Sequence, residues 1–258
     1  MSLRFQKLLD QGHIVIKDFF PPTMLDQINS LFIKEVDVEN MRSMQLPGFK
    51  MGNLAINSCY LHCKMWGFLI DSGLIGDLQG RFPNYRYVSF GGNLNLPASR
   101  RQRLHIDSVE RNLTINVPLV DVTKNNGAVS IIDTNYVKPH STLDIFMKNL
   151  VRHEKQHFSN KGDIILRFAS TWHRGNRNLS QEPRLMISFT LRESWPWAPG
   201  KDDSVSNLIF DKTENAPVSF SGNIYPNNFS GRVLEAIDFR VPSVSMTAQH
   251  VRNILKGR

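Results

Sequence analysis

The chain has 258 residues, 41% of them hydrophobic and 21% charged, with a formal net charge of +8. That length and balance suit one large globular domain and do not suit a disordered or fibrous chain. No apolar run is long enough to span a bilayer, and Asp10, Gln11 and His13 interrupt any signal-peptide core, so a cytoplasmic protein without a membrane span is expected. The basic balance points to an anionic partner of some kind, but the basic residues are scattered. Their densest group is Arg100, Arg101 and Arg103.

Taken in chain order, residues 3–9 read as a short amphipathic helix that Gly12 ends, and residues 13–17 alternate like a strand. Pro21 and Pro22 open a second helix running to about Val36, with Met24, Leu25, Ile28, Leu31 and Phe32 on one stripe. Residues 41–57 show neither period and contain Pro47, Gly48 and Gly52, which makes them a candidate lid loop. Residues 60–74 read as a helix. Cys59 and Cys63 are spaced as neighbours on one helix face, without the further ligands that a structural zinc needs.

From Tyr85 the pattern changes to short strands at 85–95, 101–107, 112–120, 128–133, 163–168 and 184–191. Turn signals such as Asn126-Gly127 and Gly162-Asp163 separate them. A helical insert is expected at 141–152 and a terminal amphipathic helix at 247–255. The strand series predicts a mainly β fold with flanking helices, a sandwich or barrel. The expected organisation is one domain over 1–258. It has a helix and strand support over about 1–80, a β core over about 83–193 and an extension over 194–258.

The chemical signal is His105-Ile106-Asp107. On a strand these two side chains share a face and present an imidazole and a carboxylate to one point. A second imidazole, His173, lies in Thr171-Trp172-His173-Arg174-Gly175. Two histidines and one carboxylate leave three positions open on an octahedral ion, which suits iron(II) oxygenases that bind a co-substrate and O2. The spacing alone also fits a hydrogen-bonded histidine beside a turn aspartate. Arg184, at the start of a later strand, offers a planar fork matched to a carboxylate such as the distal one of 2-oxoglutarate, or a plain strand-edge ion pair.

Over about residues 5–193 the chain resembles the phytanoyl-CoA dioxygenase family. The resemblance rests on three stretches: QKLLDQGHIVIKDFFPPTMLDQI, the run from His105-Ile106-Asp107 through NLTINVPLVDVTKNNGAVSIIDTNYVKPH, and GDIILRFASTWHRGNRNLSQEPRLMIS. The last of these aligns His173, Asn178, Ser180 and Arg184 with the family's His, Asn, Ser and Arg. The resemblance implies a double-stranded β-helix (jelly-roll, cupin-like) core, Fe(2+), 2-oxoglutarate as co-substrate and O2. It implies His105, Asp107 and His173 as metal ligands and Arg184 as the co-substrate anchor, with Thr114, Asn93 and Asn95 as further co-substrate neighbours. The activity so implied is hydroxylation of a C–H bond in a small metabolite, with desaturation or ring closure as variants. Asp107 fills the position that related halogenases free for chloride.

The chain also departs from the family. Only residues 108–111 follow the His-x-Asp before the next strand, so the usual lid there is missing. Asp133-Thr134-Asn135-Tyr136 replaces the family's Pro-Gly-Ser-His. Strand alternation over 101–107 would put Arg101 and Arg103 beside His105, where they would anchor an anionic substrate; an irregular strand would leave them in water. Two rivals use the same features: an AlkB-like nucleic-acid demethylase and a non-enzymatic jelly-roll binding protein. No aromatic and basic residues interleave as in a single-strand groove, so no nucleic-acid partner is expected.

Overall fold

The computed structural model describes residues 3–35, 51–56, 59–108, 112–135, 154–193 and 218–222. The elements in chain order are α1 (Leu3–Gln11), β1 (His13–Ile16), α2 (Pro22–Glu35), β2 (Met51–Ile56), α3 (Cys59–Asp71), α4 (Leu74–Arg81), β3 (Tyr85–Asn95) and β4 (Asn112–Pro118). They continue with β5 (Val129–Ile131), β6 (Lys155–His157), β7 (Ile164–Phe168), β8 (His173–Gly175), β9 (Arg184–Glu193) and β10 (Val218–Gly222). The strands form two sheets. The larger has the order β1-β7-β4-β9-β3-β2-β10 and the smaller the order β6-β5-β8, with every pairing antiparallel. Two facing sheets of this kind make the expected β-rich jelly-roll core.

Period-two alternation divides the larger sheet into two faces. Leu113, Ile115 and Val117 of β4, Ile164, Leu166 and Phe168 of β7, and Leu185, Ile187, Phe189 and Leu191 of β9 belong to one buried cluster with the helices. The helices add Phe5 and Leu8 from α1, Leu25, Ile28 and Phe32 from α2, Met65 and Leu69 from α3, and Leu74, Ile75 and Leu78 from α4. The residues between them, Thr114 and Asn116, Ile165 and Arg167, and Met186, Ser188 and Thr190, line a cavity on the other face. An apolar helix-facing side therefore forces the polar positions of the same strands toward the second sheet.

Several expectations change in the structure. Residues 51–56, placed in the candidate lid, form β2 and pair with β3; residues 41–50 and 57 lie outside the described residues. The helix expected over 60–74 is α3, which ends at Asp71; after Ser72-Gly73, where Gly73 has φ 79°, the unexpected helix α4 follows. Leu31 is 42% exposed and leaves the apolar stripe of α2. The expected helices at 141–152 and 247–255, and most of the extension 194–258, lie outside the described residues. No helix among the described residues is long and apolar enough to cross a membrane.

Gly12 ties the N-terminal support to the core. It has φ +76°, and a Cβ there would stand 2.6 Å from both the Thr134 carbonyl oxygen and Thr171 Oγ1. Its carbonyl accepts from the Phe168 amide at 2.9 Å and from Thr171 Oγ1 at 2.9 Å. The turn that leads into His173 is thus clamped by the α1–β1 junction, a contact across about 160 residues that only glycine permits.

Candidate active site

Residues 101–104 do not form a strand. His105 is held instead by one reciprocal bridge: its amide donates to the His173 carbonyl at 2.9 Å, and the His173 amide donates back at 2.8 Å. The Asp107 amide then donates to the Ala169 carbonyl at 2.9 Å. Two backbone anchors, rather than a full ladder, bring the three side chains together. One potential ligand atom from each of His105, Asp107 and His173 lies within 4.8 Å of the others. Asp107 Oδ1 is 3.7 Å from His105 Nε2 and 3.6 Å from His173 Nε2.

Each imidazole is oriented through its other nitrogen. His105 Nδ1 lies 2.9 Å from the Arg103 carbonyl and His173 Nδ1 lies 2.9 Å from the Thr171 carbonyl. A carbonyl only accepts, so Nδ1 carries the proton in both rings and Nε2 keeps its lone pair toward Asp107. Burial lowers the pKa of His105, and it pushes that of His173 down to about 3 against the opposing pull of Asp107. Both rings are therefore neutral at physiological pH, the form that ligates a metal. For Asp107, desolvation by the surrounding protein acts to raise the pKa, but the Arg167 guanidinium and the two imidazoles outweigh it and hold the carboxyl below the usual range. The carboxylate is 41% exposed because it faces the cavity.

The cavity measures about 540 Å³ and lies between the two sheets, within the size range of small-molecule sites. Its wall includes all three cluster residues and Arg184. Arg184 is 2% exposed. Its Nη2 donates to the Gly127 carbonyl at 3.2 Å, and its Nε meets no partner among the described residues. Burial alone lowers its pKa to about 10, so it remains a cation. Arg192, on the same strand, is exposed and is not part of the wall.

Other sequence candidates divide. Thr114 and Asn93 line the cavity. Asn95 does not: it is fully buried at the closed end, where its Nδ2 donates to the Asn176 carbonyl at 3.1 Å and its Oδ1 accepts from Ser99 Oγ. Gly127 packs over it so tightly that a Cβ would stand 2.1 Å from Asn95 Nδ2, and the φ of +89° at Gly127 itself favours glycine. Arg101 and Arg103 also do not reach the cavity wall. The alternation that would have aimed them inward is absent, since 101–104 is not a strand. Arg101 is near Glu154, at 3.9 Å, and Arg103 supplies its carbonyl to His105.

Arg167 and Gln102 were missed from sequence, and Asn178 and Ser180, which the resemblance only aligned, gain a physical role. Arg167, between the apolar run Ile164-Ile165-Leu166 and Phe168, lines the cavity and donates through Nη2 to Asp107 Oδ2. Gln102 Oε1 accepts from the Gly175 amide at 2.8 Å and shapes the wall beside His173. Asn178 and Ser180 brace the β8–β9 connection. Asn178 Nδ2 donates to the carbonyls of Asn95 (3.0 Å) and Glu182 (2.7 Å), while its Oδ1 accepts from the Ser180 amide (3.0 Å) and Oγ (2.6 Å). Those bonds fix where β9 begins, and so where Arg184 enters the cavity.

A two-sheet jelly roll with a His-Asp-His cluster at one end of the inter-sheet cavity defines the architecture. No protein-family model matches the chain. Among solved structures it is similar to the non-haem alpha-ketoglutarate-dependent carbocyclase SnoK from nogalamycin biosynthesis, with a TM-score of 0.62 and 13% identity over 75% of this chain and 84% of that one. It is similar to HygX from Streptomyces hygroscopicus, solved with nickel, 2-oxoglutarate and hygromycin B, with a TM-score of 0.60 and 15% identity over 76% of this chain and 88% of that one. It is also similar to the alpha-ketoglutarate-dependent epimerase SnoN, with a TM-score of 0.59 and 16% identity over 74% of this chain and 82% of that one. The chain thus has the fold of these non-haem 2-oxoglutarate-dependent enzymes.

Proposed function

We propose that the protein is a non-haem Fe(II)/2-oxoglutarate-dependent dioxygenase of the phytanoyl-CoA dioxygenase type that oxidises a C–H bond of a small metabolite. One observation carries the proposal: a three-donor cluster and a buried, uncompensated guanidinium share a single cavity. A buried cation without a carboxylate partner is costly unless a ligand supplies the anion. The donor set of two neutral imidazoles and one carboxylate fits iron(II) and leaves positions for further ligands.

In this reading His105 and His173 bind the metal through Nε2, and Asp107 binds it through Oδ1. Arg184 receives the distal carboxylate of 2-oxoglutarate, and Thr114 and Asn93 offer hydrogen bonds beside it. When bound, iron and co-substrate would couple oxidative decarboxylation of 2-oxoglutarate by O2 to oxidation of the substrate. The protein's part is to hold the donors, keep the imidazoles neutral and exclude water through the apolar wall of Phe90, Ile131, Ile165 and Met186. Asp107 occupies a ligand position, which favours hydroxylation over halogenation. The reactions named for SnoK and SnoN make ring closure and epimerisation the alternatives for product analysis.

The test is turnover of 2-oxoglutarate without added substrate. Purified protein with Fe(II), ascorbate and O2 should form succinate and CO2 in equal amounts, with none formed when iron is withheld. Succinate formation unchanged by chelation, or absent from protein shown to hold iron and 2-oxoglutarate, would sink the assignment.

A further inference from the structure

Arg167 is the one charged residue in the apolar strand β7, and nothing in the chemistry above requires it. Its side chain is 8% exposed. One guanidinium nitrogen, Nη2, is committed to Asp107 Oδ2. The other, Nη1, is buried and meets no hydrogen-bond partner among the described residues. Because Oδ2 is engaged by Arg167, Asp107 presents only Oδ1 to the two imidazoles.

The sheet register says where Arg167 lies. Thr114 pairs with Arg167 on one side and with Thr190 on the other, so the three form one row across β7, β4 and β9. Arg184 is six residues before Thr190 on β9, about 20 Å of extended chain. The two guanidinium groups therefore root at opposite ends of the cavity. Apart from Asp107, the wall around the Arg167 end is polar but uncharged, with Asn112, Thr114, Asn116, Ser188 and Thr190. These are side chains that can orient a polar ligand but cannot neutralise a cation.

Counting charge sharpens this, and the count rests on the function proposed above. A divalent cation with Asp107, two guanidinium groups and the dianion 2-oxoglutarate leave one positive charge over among the described cavity residues. An unbalanced charge in a walled cavity is expensive, and a monoanionic ligand would remove it.

We propose that Arg167 is the anchor for the primary substrate, and that this substrate carries a single anionic group, a carboxylate or its equivalent, which Arg167 receives through Nη1 while Nη2 holds Asp107. One side chain then both orients a ligand of the metal and marks the substrate's place beside it. The sequence expectation of an anionic substrate is kept, with the anchor moved from Arg101 and Arg103 to Arg167.

The probe pair is acetate and acetamide, equal in size and different in charge. Full-length protein is loaded with Mn(II), which is paramagnetic, and saturating 2-oxoglutarate. Relaxation of the probe's methyl protons then reports binding near the metal without any turnover. Acetate should show saturable relaxation with at least tenfold tighter binding than acetamide. Arg167→Gln should abolish that preference and Arg167→Lys should keep part of it, each compared after Mn(II) and 2-oxoglutarate have been brought to saturation. Equal binding of the two probes by loaded wild-type protein overturns the proposal. So does a preference that survives in Arg167→Gln. A loss of 2-oxoglutarate affinity in Arg167→Gln as large as in Arg184→Gln would assign Arg167 to the co-substrate and overturn it too. Failure of wild-type protein to take up Mn(II) and 2-oxoglutarate at all is a different result, and counts against the proposed function itself.

Discussion

Replacing Arg184 with methionine should push stability and co-substrate affinity in opposite directions. Arg184 is 2% exposed and burial alone lowers its pKa to about 10, more than two units below that of a solvated guanidinium. A depression of that size corresponds to about 3 kcal/mol of destabilisation of the charged form at neutral pH. The variant also gives up the Nη2 bond to the Gly127 carbonyl, worth about 1 kcal/mol, while methionine fills most of the volume. The net gain of about 2 kcal/mol should raise the melting temperature of the metal-free protein by about 4–8 °C. In the same variant, 2-oxoglutarate loses one or two charge-assisted hydrogen bonds of about 1.5–3 kcal/mol each, so its affinity should fall at least about tenfold. Calorimetric melting of the metal-free protein and anaerobic titration of 2-oxoglutarate into nickel-loaded protein measure the two effects. A variant that melts lower and binds 2-oxoglutarate as well as wild type would show that Arg184 is a structural cation, and the reasoning would be refuted.

Other outcomes follow from the same contacts. His13, His105, His157 and His173 all have pKa values lowered by burial, to about 4 for His157 and about 3 for His173. The unfolded chain therefore binds more protons than the native one below about pH 6.5, and stability of the metal-free protein should fall steadily from there down to about pH 3, measured by urea midpoints. Asn178→Ala removes a side chain with four hydrogen bonds around the β8–β9 turn and should cost about 1–3 kcal/mol, together with a weaker 2-oxoglutarate affinity that Ser180→Ala shares in smaller degree. Unchanged affinity would separate the brace from the anchor. Ile187→Ala, fully buried on the helix face of β9, should cost about 2–5 kcal/mol in chemical denaturation while leaving metal affinity unchanged once folded.

Much of the site was legible because strand alternation is strict where one face packs on helices. In β4 and β9 the apolar residues other than Met186 point to the helix layer, so Thr114 and Arg184 had to face the cavity. The same rule misled at 101–107, where one backbone bridge at His105 replaces the strand and leaves Arg101 and Arg103 off the cavity wall. Asn95 shares the inward face of β3 with Asn93, but the sheet is closed above it by Gly127, a contact from a distant turn that periodicity cannot report. Residues 51–56 contain two small residues and little alternation, and became a strand through pairing with β3 and β10. Arg167 left a signal that went unused. A charge in the middle of a buried apolar strand needs a partner, and Asp107 was the unpaired carboxylate already in view.

His105, Asp107 and His173 are proposed to bind iron in a cavity that also takes 2-oxoglutarate. Anaerobic titration of 2-oxoglutarate into Fe(II)-loaded protein, followed by visible charge-transfer absorbance, tests it most directly. A band that saturates at one equivalent is expected in wild type, and none in His173→Ala that remains folded. No band in iron-loaded wild-type protein, or an undiminished band in His173→Ala, would contradict it.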